Sequence, residues 1–152
     1  MLLCMQLTLA HVGPKGGAKD GYETLVQEYR ERCSAYARCG TEAFRTEEAL
    51  VAWLGRLKGR MAPVTVLLDG RGKTMSSEAL AKWLGARRDE GAQQIVFAVG
   101  PADGWSNATR AQAGLLLSLG PMTLAHALAR LVMAEQMYRA LTILAGHPYH
   151  RQ

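Results

Sequence analysis

The sequence has few cysteines and no long apolar run. Its 152 residues include 3 cysteines, which cannot all pair with one another, and this usage is typical of reduced thiols in a cytoplasmic protein. The longest uncharged apolar runs, such as residues 114–119 and 141–146, are far shorter than the roughly 20 residues that a membrane-spanning helix requires. We therefore expect neither a disulfide framework nor a contact with a membrane.

Acidic residues are also in the minority. The chain has 13 Asp and Glu against 18 Lys and Arg, which gives a formal net charge of +5. A basic excess favours a polyanionic partner such as RNA, because neutralising phosphates releases condensed counterions. Hydrophobic residues make up 49% of the chain and charged residues 20%, a composition that buries a core and excludes a disordered chain.

The apolar N-terminal segment lacks a basic stretch and contains Gln6 and Thr8, so it favours a strand over a signal peptide.

Apolar β-rich runs alternate with amphipathic patterns along the chain. Strands are predicted at residues 3–10, 41–45, 64–68, 95–99 and 115–119, and helices at 22–38, 46–59, 76–91 and 124–145, with a short helix after Ser106. Thr46, Ser76 or Ser77, and Ser106 are typical helix N-caps, and Gly40 is expected to end the first helix. The alternation predicts a single α/β domain, in which a parallel sheet is covered by helices on both faces.

Glycine follows three of the predicted strands, at Gly70, Gly100 and Gly120. In parallel sheets, ligands bind outside the carboxyl ends of the strands. Glycine lets a ligand approach the main chain closely because it has no Cβ. We therefore expect a ligand site built from these three strand-end loops.

Two short motifs have simpler structural explanations. The sequence Gly-Arg-Gly-Lys-Thr at residues 70–74 resembles the end of a phosphate-binding P-loop, but Leu67 stands where that motif needs its first glycine. This segment is predicted to be a basic loop. His147 and His150 lie three residues apart but have no further ligands at supporting spacing, so no metal site is predicted.

The last residues of the chain carry side chains that suit a nucleotide substrate. A chain end is usually frayed, but Pro148 stiffens this one, and a tyrosine, a histidine and an arginine together can stack, exchange protons and bind phosphate.

Other polar and aromatic residues have structural interpretations. Glu135 and Arg139 are predicted to form an ion pair on the last helix. The three tryptophans are interpreted as core or interface residues without a chemical role: Trp53, Trp83 and Trp105.

The chain resembles a known enzyme family, most clearly from residue 68 onwards. The similar segments are 68–73, 76–78, 99–100, 122–130, 134–140 and 147–151. They resemble the ribosomal RNA large-subunit methyltransferase H family, a group of small SPOUT-class enzymes. The resemblance implies an α/β fold with a C-terminal trefoil knot, a homodimer, and S-adenosylmethionine as cofactor. It also implies a reaction, the methylation of N3 of a pseudouridine in the 23S ribosomal RNA of the ribosome.

The resemblance also implies where the cofactor is contacted. The contacts fall on two strand ends and one loop: Leu68, Gly100, Leu119, Gly120, Pro121, Met122, Thr123 and Leu124. These are the strand-end loops that the glycine pattern indicates. Two positions differ from the family pattern. Pro101 replaces the second glycine of its loop and has no amide hydrogen to donate, and Ala125 stands where the family tends to have proline.

Residues of the C-terminal tail, which matches the tail of the family, and of the last helix also have expected roles. His150 is expected to be the base that takes the ring proton, since imidazole titrates near working pH. Arg151 is expected to stabilise negative charge or bind phosphate, and Tyr149 to stack on the target base. Contacts to RNA are expected from His126, Arg130, Arg139 and His147.

Two other functions stay open. One is a SPOUT methyltransferase that acts on transfer RNA or on another ribosomal site. The other is a non-catalytic protein that binds RNA or the ribosome and has lost its cofactor, for which Pro101 is the supporting feature.

Overall fold

The computed structural model describes residues 4–57 and 59–151. In this part of the chain five strands alternate with five helices, in the order β1 (Gln6–Val12), α1 (Gly21–Cys33), β2 (Arg38–Phe44), α2 (Glu47–Arg56), β3 (Val64–Thr74), α3 (Ser77–Asp89), β4 (Gln94–Val99), α4 (Asn107–Ala111), β5 (Leu115–Ser118) and α5 (His126–Ala145). The predicted α/β alternation is therefore confirmed. None of the described helices is long and apolar enough to cross a membrane.

The described strands form one parallel sheet. Their order is β2-β1-β4-β3-β5, and each neighbouring pair is in parallel register. Helices cover both faces, as predicted: α1, α3 and α5 pack over the larger apolar core, and α2 packs over a smaller one together with Trp105. Because parallel strands end at the same edge of a sheet, the loops after β1, β3, β4 and β5 are neighbours.

The helix starts follow the sequence closely. The predicted N-caps are confirmed, since the side chains of Thr46, Ser76 and Ser106 each accept a hydrogen bond from the main-chain N–H three residues later. Ser76, rather than Ser77, is thus the cap of α3. After the last residue of α5, Gly146 adopts a left-handed φ of 71°, which suits glycine at a helix end.

The first helix and the second strand differ from the prediction. α1 ends at Cys33 rather than at residue 38, and Gly40, expected to end the helix, lies inside β2. Tyr36 keeps the helical spacing of apolar residues, but it packs on Tyr138 from a turn, with 6.2 Å between the ring centroids. The helical spacing of apolar side chains therefore continues beyond the last residue of α1.

The third strand is longer than predicted, since β3 runs on through the segment expected to be a basic loop. Its register with β5 shifts there, and Leu117 is paired with both Leu68 and Lys73. Pairing with β5 overrides the local preference for a turn. Gly72 allows the close approach, because a Cβ at this position would lie 2.6 Å from the main-chain carbonyl of Leu116.

The remaining boundaries agree within a few residues. The strand predicted at 3–10 corresponds to β1, although residue 3 lies outside the described residues. The helix predicted at 46–59 corresponds to α2, which ends at Arg56, and residue 58 is also outside the described part. The three cysteines, all within the described residues, are free thiols.

Candidate functional site

A cleft of about 280 Å³ lies at the carboxyl ends of β3 and β5. Leu68, Asp69 and Gly70 form its β3 side, and residues 117–124 with Ala129 form the rest. The cleft thus brings together seven of the residues expected to contact the cofactor: Leu68, Leu119, Gly120, Pro121, Met122, Thr123 and Leu124. The eighth, Gly100, does not line this cleft.

The shape of the loop after β5 depends on Gly120. Its φ of 120° lies in a region that side-chain-bearing residues rarely adopt. The hydroxyl of Ser118 accepts from the N–H of Gly120 and donates to the Gly120 carbonyl, both at 3.2 Å. A Cβ at Gly120 would have no atom within 4 Å, and Met122 on the same loop is 79% exposed. The loop therefore presents its main chain and one large apolar side chain to a ligand.

Gly100 is joined to this loop by His126. The Gly100 carbonyl accepts a hydrogen bond from Nε2 of His126 at 3.1 Å, and His126 begins α5 shortly after the cleft loop. The ring of His126 also meets the buried ring of His11 edge-on, at 5.8 Å between centroids. RNA contact is predicted for His126, which is exposed. Its bond to Gly100 gives it a second role, because it ties the loop after β4 to the loop after β5.

Trp105 contacts two of the expected cofactor residues, although its sequence pattern indicates only a core or interface residue. Its side chain is buried, and its Nε1 donates to the carbonyl of Leu68 at 3.0 Å. A Cβ at Gly100 would lie 2.7 Å from the indole. The missing side chain of Gly100 therefore leaves room for the indole ring, and the contact of Gly100 with the cofactor stays a prediction. In the sequence, the signal for this contact is a tryptophan that closely follows a glycine at the end of a predicted strand.

Pro101 opens the turn that follows β4. Its carbonyl accepts a hydrogen bond from the N–H of Gly104 at 2.9 Å, and Gly104 has a φ of 83°. The turn is closed by the carbonyl of Pro101 and not by an amide, so proline fits this position.

Asp69 holds the β3 side of the cleft. Its Oδ2 accepts from Nε of Arg110 at 2.6 Å, and its Oδ1 accepts from the main-chain N–H of Arg71 at 2.8 Å. Burial alone would raise the pKa of Asp69, but these hydrogen bonds outweigh it and hold the pKa below its ordinary value. The side chain of Arg71 is 72% exposed. It is an exposed cation next to the cleft residue Gly70, in a segment for which the sequence predicts no contact with RNA.

A second cleft, of about 380 Å³, adjoins the first and shares residues 117–120 and Leu124 with it. Ser77 and Gln136 line its other side, where the Ser77 hydroxyl donates to Oε1 of Gln136 at 2.7 Å. The amide of Gln136 in turn donates to Oε2 of Glu135 at 2.7 Å. The wall of the second cleft is thus bonded to a residue that holds the C-terminal tail.

The C-terminal tail is docked on α5 through Tyr149. The phenol donates to Oε1 of Glu135 at 3.1 Å, and the ring lies 4.7 Å from that of Tyr138. The guanidinium of Arg139 lies over the same ring, 4.8 Å from its centroid. Burial, followed by the neighbouring Tyr29 and Glu135, raises the pKa of Tyr149. Tyr149 is therefore a neutral phenol at physiological pH.

Both ring nitrogens of His150 are engaged. Its Nδ1 is 3.1 Å from Nη1 of Arg139, and its Nε2 is 2.8 Å from Oε1 of Glu78. Because a guanidinium can only donate, Nδ1 accepts, and the proton of the neutral ring lies on Nε2. The predicted ion pair between Glu135 and Arg139 is confirmed at 2.6 Å and keeps Arg139 in place. The nitrogen that would accept a substrate proton is occupied in this conformation.

Within one chain, the residues of the tail do not line the first cleft. Residues 147–151 are all described, and none of them lines either of the two adjoining clefts. His147 and Arg151 are exposed, and Nδ1 of His147 accepts from the main-chain N–H of Tyr149 at 3.2 Å. Within one chain, the predicted base is therefore not among the residues that line the cleft of the predicted cofactor residues.

The two arginines for which RNA contact is predicted are both held by carboxylates. Arg130 is 7% exposed and pairs with Glu23, while Arg139 pairs with Glu135. Burial alone would raise the pKa of Glu23, but hydrogen bonds from Arg130 and Gln27 hold that pKa below its ordinary value. Neither guanidinium offers a free cation in this conformation, and their contact with RNA stays a prediction.

Comparison with known proteins places the chain among methyltransferases. Residues 5–150 match the family described as "Predicted SPOUT methyltransferase". The protein named Ribosomal RNA large subunit methyltransferase H from Koribacter versatilis is 47% identical over 146 residues, which cover 96% of this chain and 98% of that protein. The protein of the same name from Brucella abortus is 43% identical over 142 residues, which cover 93% of this chain and 83% of that protein.

One solved structure is similar in fold. It is the SpoU methyltransferase AviRb from Streptomyces viridochromogenes, in complex with the cofactor AdoMet, and it matches with a TM-score of 0.51 at 11% sequence identity. The match covers 96% of this chain but 62% of the AviRb chain. At this level of identity the likeness concerns the fold alone.

Proposed function

Since the chain belongs to the SPOUT methyltransferase family, we propose that it uses S-adenosylmethionine to methylate N3 of a pseudouridine in 23S ribosomal RNA. The observation that carries this proposal is the cleft at the ends of β3 and β5, which gathers seven of the residues expected to hold the cofactor. The relatives that cover most of the chain are named for methylation of large-subunit ribosomal RNA. The SPOUT fold also implies a trefoil knot in the C-terminal part of the chain.

The cleft suits a cofactor that contains adenosine. It combines the open main chain around Gly120 with the apolar side chains of Leu68, Leu119 and Leu124. Main-chain N–H and C=O groups can bond the polar edge of a purine while leucine side chains cover its faces. When bound, the cofactor supplies an electrophilic methyl group on a sulfonium sulfur. Asp69 keeps the β3 wall in place, because both of its carboxylate oxygens are engaged.

The ring nitrogen of the substrate must lose its proton for the methyl group to be transferred. His150 is the proposed acceptor, once binding of RNA has moved Arg139 away from Nδ1. Arg151, which is exposed, then stabilises negative charge or binds phosphate, and Tyr149 stacks on the base. Holding the two reacting atoms in line supplies much of the remaining acceleration, since good orientation lowers a barrier by up to about 7–11 kcal/mol.

A second copy of the chain completes the site. The tail of one copy approaches the cleft of the other in the proposed homodimer, because within one chain the tail lines neither adjoining cleft. Met122 beside the cleft and Leu128 on α5 are 79% and 36% exposed, and such apolar surface is typical of an interface. A monomer in sedimentation at micromolar concentration would contradict this arrangement.

RNA contacts come from exposed side chains in this proposal. His126, His147 and Arg71 are exposed and able to reach a phosphate or a base. Arg130 and Arg139 are held by the carboxylates that they bind, so their predicted contacts with RNA require these ion pairs to open first.

The test of this function has two steps. The purified protein is first titrated with S-adenosylmethionine by calorimetry. It is then incubated with ribosomes that lack the methylation and with cofactor that carries a labelled methyl group, and the RNA is digested to nucleosides. We expect binding, and label on N3 of a 23S pseudouridine.

The other outcomes distinguish the alternatives. Cofactor binding with label in transfer RNA, or at another ribosomal position, would keep the methyltransferase and replace the substrate. An absence of cofactor binding would instead leave a non-catalytic protein that binds RNA or the ribosome.

A further inference from the structure

Trp105 is a buried aromatic residue that bonds to the main chain of Leu68, a residue of the cleft wall. Its side chain is 6% exposed and packs in the smaller core with Leu67, Val96 and Ala98. It does not belong to the lining of the first cleft. Any influence of Trp105 on a ligand must therefore pass through the residues that it contacts.

The first contact is with the end of β3. The indole Nε1 donates to the carbonyl of Leu68 at 3.0 Å. Leu68 is the residue at which the register between β3 and β5 shifts, and it also lines the cleft. The indole thus holds the main chain at the point where β3 leaves its regular pairing.

The second contact is with the end of β4. The indole lies so close to Gly100 that a Cβ there would meet its Cε2 at 2.7 Å and its Nε1 at 2.9 Å. Gly100 is in turn bonded through its carbonyl to His126. One ring therefore contacts the end of β3 and the end of β4, just beyond the last paired residues of these adjacent strands, Leu68 and Val99.

The position of Trp105 is itself fixed by its neighbours. The next residue, Ser106, donates both its N–H, at 2.8 Å, and its hydroxyl, at 2.6 Å, to the carboxylate of Glu47 on α2. From α4, Arg110 reaches Asp69 beside Leu68 at 2.6 Å. The segment from Trp105 to Arg110 is thus bonded to α2 on one side and to β3 on the other.

We propose that Trp105 is a positioning residue for the cofactor, which acts by holding the carbonyl of Leu68 and the main chain of Gly100 at a fixed spacing. The inference rests on the proposed cofactor cleft. It predicts that the indole N–H contributes to affinity for S-adenosylmethionine, although the indole does not touch the cofactor. It also predicts little effect on the chemical step, since Trp105 contacts no residue of the tail among its described hydrogen bonds and ring contacts.

The decisive variant is Trp105→Phe, which keeps a ring beside Gly100 and removes the donor to Leu68. We expect the Kd for S-adenosylmethionine in calorimetry to rise roughly three- to tenfold, the effect of losing one hydrogen bond. The methylation rate at saturating cofactor should stay within about twofold of wild type, so the change appears in KM and not in kcat. The matched control is Trp53→Phe, since Trp53 lies against Phe44 at 5.3 Å and lines neither cleft.

A second measurement uses the tryptophan itself as the reporter. The double variant Trp53→Phe/Trp83→Phe leaves Trp105 as the sole tryptophan. We expect its emission to change saturably with S-adenosylmethionine, at the Kd that calorimetry gives. This readout decides the inference even if Trp105→Phe does not fold.

The outcomes separate the two proposals. Unchanged affinity in a folded Trp105→Phe, or unchanged emission of Trp105 at saturating cofactor, would overturn the positioning role and leave the cofactor cleft intact. A wild-type protein that does not bind S-adenosylmethionine would overturn the proposed function itself.

Discussion

Arg139 donates to Nδ1 of His150 at 3.1 Å, so the imidazole accepts on one nitrogen and holds its proton on the other, facing Glu78 at 2.8 Å. A histidine in this state is oriented but not free to act as a base. In this arrangement Arg139 covers the nitrogen that, in the proposed function, accepts the substrate proton.

The first prediction concerns this histidine. His150→Ala should lower single-turnover methyl transfer at saturating RNA and cofactor by roughly 10²–10⁴-fold, the usual contribution of a general base. Its affinity for S-adenosylmethionine should not change. The control is His147→Ala, whose exposed imidazole should affect RNA affinity at most. Near-wild-type transfer in His150→Ala would remove this residue from the proton transfer.

The second prediction concerns the cleft loop. Gly120→Ala should abolish or strongly weaken cofactor binding, because a φ of 120° is strained for any side chain even where there is space for it. Unfolding in denaturant should show a loss of about 1–3 kcal/mol. Gly55→Ala is the matched control, since its Cβ would also meet nothing within 4 Å but it lies in α2. It should gain about 0.5–1 kcal/mol.

The third prediction concerns the buried ion pair. Glu23→Ala leaves Arg130 buried without its carboxylate and should reduce the free energy of unfolding by about 3 kcal/mol. Glu28→Ala breaks an exposed pair with Arg32, whose side chains are 48% and 45% exposed, and should cost less than about 1 kcal/mol. Equal losses in the two variants would show that burial does not strengthen the pair with Arg130.

The fourth prediction concerns the effect of pH on the carboxylate of Glu23. Its pKa is held below the ordinary value of 4.5, so near that pH the unfolded chain binds more protons than the folded one. The stabilisation is fully present above the ordinary pKa and is lost as the pH falls through the lower, folded-state pKa. On acidification, the free energy of unfolding should fall more steeply for wild type than for Glu23→Ala. Parallel curves would contradict the depressed pKa.

The fifth prediction concerns RNA. Arg71→Ala should weaken binding to unmethylated ribosomes and reduce the salt dependence of that binding by about one phosphate contact. Cofactor affinity should not change, because the Arg71 side chain is 72% exposed at the rim. Arg88→Ala, in the last turn of α3 and paired with Asp89, is the control and should leave the salt dependence unaltered. An unchanged salt slope in Arg71→Ala would exclude a phosphate contact there.

Patterns set by local chemistry were predictable from the sequence. The hydroxyl caps at Thr46, Ser76 and Ser106 are where their neighbours indicate, because each satisfies main-chain donors within the same turn. The strand predicted at 95–99 is β4 with one more residue. A cleft lies at the end of β5, where Gly120 after an apolar strand predicts a ligand site, and the contact of residues 119–124 with the cofactor stays a prediction.

Features that depend on distant partners were not predictable. The segment after Leu68 consists of turn-forming residues, yet pairing with β5 makes it strand. Gly100 follows a strand as a ligand-binding glycine would, but its missing side chain makes room for Trp105. Arg130 has the charge of an RNA contact, and only packing shows that Glu23, 107 residues away in sequence, neutralises it.

Leu117 of β5 pairs with both Leu68 and Lys73. The two ends of the segment 69–72 are therefore held at the same residue of β5. Residues added or removed between these ends would therefore change the height of the cleft rim without sliding the sheet. Such changes would move the exposed side chain of Arg71 while the main chain at Leu68, where β3 pairs with β5, stays in place. Under the proposed function, the RNA contact at Arg71 and the cofactor contact at Leu68 can therefore change independently of each other in evolution or in design.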